Sequence, residues 1–166
     1  MKKIAIVCSL FTILVCAGVP SVHAQGTAKT GPAPGTVRDP DLEKDAMHNL
    51  TVARHYFRLK KAYVAALQRC EEIIAGNPNF SKIDEVLFLA GESSLNLAES
   101  KGKQKPSTYI IHEGDSKRTL NAEEFREVAR GYLSQLVNDH PNSSFRKQAE
   151  EDLKAVGGLK QTENRN

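Results

Sequence analysis

"EEIIAGNPNF" occupies Glu71–Phe80, and "YLSQLVNDHPNSSF" occupies Tyr132–Phe145. Each is an apolar-striped segment halted at Asn77-Pro78 or His140-Pro141, with an asparagine after the proline. Proline cannot continue a helix, and the residue before it is pushed out of helical geometry. Both segments are therefore read as helices with an enforced stop. Each stop is followed within three residues by a serine and a new apolar run. A stop that recurs within one chain points to a repeated unit.

Helical spacing extends on both sides of these turns. A first helix is expected from Asp39 as cap and Pro40 at the first position, with Leu42, Ala46, Leu50, Ala53 and Phe57 as its stripe. The second carries Tyr63, Ala66, Cys70, Ile73 and Ile74 and ends at Gly76. The third begins near Ser81 as cap, has Asp84 and Glu85 in its first turn, and presents Ile83, Val86, Leu87, Ala90 and Leu97. The fourth is capped by Asn121 and carries Phe125, Val128, Ala129, Tyr132, Leu133 and Leu136. The fifth starts at Ser143 or Ser144, with Phe145, Ala149 and Leu153 at steps of four. The pattern predicts an all-α fold of about five helices, in a domain spanning 40–156.

Residues 99–120 interrupt it. "ESKGKQKPS" reads as too polar and too broken by Gly and Pro to pack, so residues 101–107 are expected to be dispensable. Tyr109–Ile111 form one apolar cluster that must lie against the domain. The expectation is a mostly irregular excursion pinned there, with Ser107–Ile111 the single strand candidate and a polar turn around Gly114 in "HEGD".

The chain opens with a basic "MKK", an apolar run from Ile4 to Val19, Pro20, and "VHA" ending at Ala24. This is the pattern of a secretory signal peptide over 1–24, cleaved after Ala24. Neither Cys8 nor Cys16 follows a small residue, so the sequence does not favour a lipid anchor, and membrane association is expected to be indirect. Residues 25–39 read as a flexible linker and 157–166 as a frayed tail. The expected location is exported, periplasmic or outer-membrane-associated.

Removal of the signal takes Lys2 and Lys3 and lowers the formal charge from +3 to +1. A near-neutral domain has no electrostatic footprint for nucleic acid. Cys70 is then the one remaining cysteine, read as a small buried hydrophobe. There is no Gly-rich phosphate loop, no HExxH and no CxxC, and Ser144 with Lys147 reads as helix initiation rather than a catalytic pair. No cofactor, metal or catalytic residue is expected, and the protein is not read as an enzyme.

The two Pro-stopped hairpins resemble the tetratricopeptide repeat, a helical hairpin of about 34 residues. Aligned on Pro78, the family's pattern falls on Leu50, Ala53, Phe57, Ala66, Cys70 and Ile73. Aligned on Pro141, it falls on Ala129, Leu133 and Leu136, with Leu87, Ala90 and Gly91 on the preceding helix. The prolines are 63 residues apart, so one repeat carries the long insert. Over about residues 45–155 the closer likeness is to BamD-like outer-membrane assembly proteins, through "YFRLKKAYVAALQRCEEIIAGNPNF" and "HPNSSF". The resemblance implies a short right-handed stack of helical hairpins and a scaffold that binds another envelope protein, as an extended peptide or a helix. It also implies a concave groove formed by His48, Thr51, His55 and Arg58 from the first helix and Glu85, Phe88, Glu92 and Leu95 from the third, with Phe88 exposed. The other reading is a peptidoglycan- or carbohydrate-associated accessory protein, against which the low aromatic content of 6% argues.

Overall fold

The computed structural model describes residues 38–159. The expected signal peptide, the linker up to residue 37 and the tail from residue 160 lie outside the described residues. The described chain is all-α in class: α1 (Pro40–His55), α2 (Tyr63–Gly76), α3 (Ile83–Ala98), α4 (Ala122–Asp139) and α5 (Arg146–Ala155), with one small hairpin, β1 (Ile110–Glu113) and β2 (Ser116–Thr119), before α4. Each helix packs on the next in sequence. Side-chain bonds also tie α1 to α3 and α3 to the entry of α5, through Arg54–Glu85 and Ser143–Asp84. Glu71 on α2 likewise meets Tyr132 on α4.

The two Pro turns have the same backbone bonding. Asn77 N–H donates to Ile73 O, Phe80 N–H to Asn77 O, Ile83 N–H to Phe80 O, and Val86 N–H to Lys82 O. The same four bonds recur from His140 to Leu136, Ser143 to His140, Arg146 to Ser143, and Ala149 to Phe145. Every donor and acceptor is shifted by the 63 residues that separate the prolines. The buried side chains follow the same offset: Ala66 with Ala129, Cys70 with Leu133, Ile73 with Leu136, and Val86 with Ala149. An aromatic side chain follows each turn inward. Phe80 is fully buried, and Phe145 stacks on Phe88 with ring centroids 4.9 Å apart.

Caps show where local chemistry acts and where tertiary contacts replace it. Asp39 accepts from the N–H groups of Asp41 and Leu42, with Pro40 opening α1. Asn121 and Glu124 form a reciprocal capping box at α4. Ser81 does not cap α3. Its N–H instead donates to Glu43 on α1, and Lys82 stands at the cap without a side-chain bond. At α5 the cap position is Phe145, and Ser143 accepts from Phe145 N–H while donating its hydroxyl proton to Asp84. Leu42, expected in the α1 stripe, is 46% exposed. At the far end, Gly157 and Gly158 both have positive φ, and Gly158 N–H donates to Leu153 O, so the glycine pair terminates α5.

The insert departs most from expectation. Ser100, Gly102 and the hairpin make it a folded element. At Gly102 (φ +92°) a β-carbon would lie 2.5 Å from Lys61 O and 2.6 Å from the Tyr63 ring, so glycine is needed there both for conformation and for approach. Lys103 N–H donates to Lys61 O. Gln104 Oε1 accepts from Ala65 N–H at 3.0 Å, supplying the cap that α2 lacks in its own sequence. Residues 102–104 are thus bonded to the start of α2, which speaks against the expectation that 101–107 could be removed without effect. A two-residue Gly114–Asp115 turn joins strands whose register pairs Ile110 with Thr119 and Glu113 with Ser116.

Candidate functional site

The expected groove joined one face of α1 to one face of α3. His48, Thr51 and His55 on α1, and Arg58 in the helical turn Tyr56–Lys60 that continues it, are exposed. On α3 the phase differs. Phe88 is 8% exposed and packed with Leu87, Leu133, Leu136, Ala149 and Leu153 between α3, α4 and α5. Glu85, also 8% exposed, is held by both branches of the Arg54 guanidinium at 2.6 and 2.5 Å. Glu92 and Leu95 are half-buried. Phe88 is therefore corrected from exposed contact residue to core, because α3 lies at the centre of the helix array and α5 covers the face expected to be open. The eight residues do not form two facing open stripes.

Glu92 has its own chemistry. Burial, with Asp152 of α5 beside it, pushes its carboxyl up to about 7, against the weaker pull of Lys101. Asp152 Oδ2 is buried with no hydrogen-bond partner among the described residues. Cys70 is fully buried, and loss of solvent next to Glu71 and Glu85 pushes its thiol up to about 12, which leaves it protonated and unreactive. No group of three or more His, Cys, Asp or Glu side chains among the described residues could hold a metal ion.

The open apolar surface lies elsewhere, where the hairpin leans on α4. A cavity of ≈ 490 Å³ has Tyr109, Ile111, Leu120, Val128 and Tyr132 as its apolar lining and Glu123, Glu124 and Glu127 at its rim. Strand alternation builds one wall: Tyr109 and Ile111 point inward, while Ile110 between them is 48% exposed. The hollow continues along α4 past Gly131 to Gln135, where a further ≈ 450 Å³ shares Glu127, Val128 and Tyr132. From Asn121 to Gln135 a helix advances ~21 Å at about 1.5 Å per residue.

Glu71, on α2, lines this groove. Its Oε1 accepts from the Tyr109 hydroxyl at 2.6 Å and the Tyr132 hydroxyl at 3.3 Å. The Tyr109 ring packs on Phe125, with centroids 5.6 Å apart. Burial raises the Glu71 carboxyl above its usual range, and the two hydroxyl donors offset part of that. Both tyrosines are raised in turn, by burial first and then by the neighbouring carboxylate. The outer carboxylates are answered: Glu123 by Arg126, Glu127 by Arg130, and Glu124 by Arg118, which also holds Glu113. No lysine or arginine among the described residues pairs with Glu71, and its Oε2 accepts no hydrogen bond from them.

Of this site, the sequence showed Tyr109–Ile111 as a cluster that needed a surface. It did not show Glu71, which reads as an ordinary exposed position next to Glu72. No helix among the described residues is long and apolar enough to cross a membrane. Comparison with protein-family models, with curated proteins and with solved structures gives no match.

Proposed function

We propose that the chain is an exported helical-repeat scaffold that binds another protein of the cell envelope, using the groove between its hairpin insert and α4. The observation that carries this reading is the groove itself. It is an elongated apolar hollow with a polar rim, its wall is fixed to α2 through Tyr109, and the insert that carries Tyr109 is bonded to α2 again through Gln104. A preformed surface of this kind suits an extended segment or a helix better than a small molecule, because it is open along its length and lacks convergent catalytic groups.

The recurrence of backbone bonds across the two Pro turns supports a repeat protein, and a tetratricopeptide-like stack is the proposed family of architecture. The apolar leader supports export. Participation in outer-membrane protein assembly is the finer proposal, resting on the "NPNF" and "HPNSSF" turns.

The test is co-purification from an envelope fraction. Val128→Glu places a charge on the half-buried groove floor without touching the core. It should abolish a partner that His55→Ala, on the exposed face of α1, retains. Equal recovery by both variants would contradict the groove as the binding surface.

A further inference from the structure

We propose that Glu71 anchors a single lysine or arginine side chain, carried by an extended and otherwise apolar segment of the partner lying along α4. This rests on the groove reading above and adds the chemistry of its occupant. Three observations lead to it. Glu71 is half-buried in the wall of an apolar cavity, yet among the described residues it has no cation paired with it. Its Oε1 is fixed by two tyrosine hydroxyls, which leaves Oε2 free to accept a charged donor. The one basic side chain in the cavity wall, Arg118, is already engaged by Glu113 and Glu124.

A desolvated carboxylate gains most from a partner that brings a positive charge. The tyrosine rings flanking it offer apolar surface to the methylene stem of that side chain. The remaining apolar floor then selects the neighbours of the cation. At about 3.3 Å per residue, the ~21 Å between Asn121 and Gln135 accommodates roughly six extended residues. An acidic segment would meet uncompensated repulsion at Glu71 and would be rejected.

The probe is a random heptapeptide library panned against the purified protein, followed by titration of individual recovered peptides. The expected result is enrichment of one Lys or Arg flanked by apolar residues. Glu71→Gln should bind such a peptide about tenfold more weakly or worse. Replacing the peptide's cation by norleucine should cost as much with the native protein and little with Glu71→Gln. Tyr132→Phe, which keeps Glu71 charged, should retain binding and guards against loss of fold in the first variant. Recovered peptides that lack a basic residue but are blocked by Val128→Glu would overturn the cation anchor and leave the groove reading standing. Peptides insensitive to both Glu71→Gln and Val128→Glu, or no enrichment at all, would overturn both. A concentration-dependent dimer abolished by Glu71→Gln would make a second copy the occupant and overturn the external partner.

Discussion

Gly91 on α3 faces Leu133 on α4 so closely that a β-carbon at residue 91 would lie 2.6 Å from both Cγ and Cδ2 of the leucine. Both residues are buried, and Leu133 is the 63-residue counterpart of Cys70. The contact sets how near the two central helices come. Gly91→Ala should therefore cost about 1–3 kcal/mol by overpacking, despite alanine's better helix propensity. Leu133→Ala alone should cost about 2–5 kcal/mol. The double variant should be less destabilised than the sum of the two, because the smaller side chain makes room for the methyl group. Urea unfolding of the four proteins checks this. Simple additivity would show that α3 and α4 adjust independently of the contact.

The insert braces α2. Gln104→Ala removes the acceptor for Ala65 N–H and should lower stability by about 1 kcal/mol, comparable to loss of an ordinary helix cap. Gly102→Ala should cost more, since its φ of +92° and the backbone oxygen of Lys61 both oppose a side chain. Thermal melts give the ranking. An unchanged Tm for both variants would return residues 101–107 to the status of a free loop.

Glu92 makes stability depend on pH in a definite direction. Its carboxyl titrates near 4.5 when exposed and is raised to about 7 in the fold. Between those values the folded protein holds a proton that the unfolded chain has released, so stability falls as pH rises through that window. The penalty is fully present above it and absent below about 4.5. Glu92→Gln should raise Tm at pH 8 and leave it little changed at pH 4. The groups facing Glu92 are Asp152 on α5, with Glu99 and Lys101 just past the end of α3. Asp152→Asn should reproduce part of the effect. A larger gain at pH 4 than at pH 8 would contradict the assignment.

The equivalence of the two hairpins can be measured directly. Ala66 and Ala129 occupy the same place relative to Pro78 and Pro141, and neither is exposed. Leucine at either site should destabilise by about 1–3 kcal/mol. Tolerance at one site and a large cost at the other would show that the turns repeat without the packing repeating.

Helix positions were legible because capping and period are local properties. Asp39-Pro40, Asn121 with Glu124, and the two prolines each act within one turn of chain. The phase of α3 was not legible in the same way. In "IDEVLFLAGESSLNLA" apolar and small residues cover nearly the whole circumference, which is the signature of a helix enclosed on several sides. Read as an amphipathic helix, it left Phe88 on an open face that does not exist. The strand candidate Ser107–Ile111 met β1 only at Ile110 and Ile111, and the second strand was missed because β2, "SKRT", is exposed at all four positions and has no apolar alternation. The signal that β1 turns back on a partner was the Gly114–Asp115 pair, a two-residue turn composition that favours hairpins. Glu71 was invisible because its significance depends on Tyr109 and Tyr132, which are 38 and 61 residues away in sequence.

The proposed binding surface is tested most directly by site-specific photocrosslinking in the producing cell. A benzophenone side chain placed at Val128 or Gln135 samples the groove along α4, and one at Thr51 or His55 samples the exposed face of α1. The groove positions should give adducts to the same partner protein, and the α1 positions should give none to it. Adducts to a common partner from Thr51 and His55, with none from Val128 or Gln135, would contradict the groove and return the binding surface to α1.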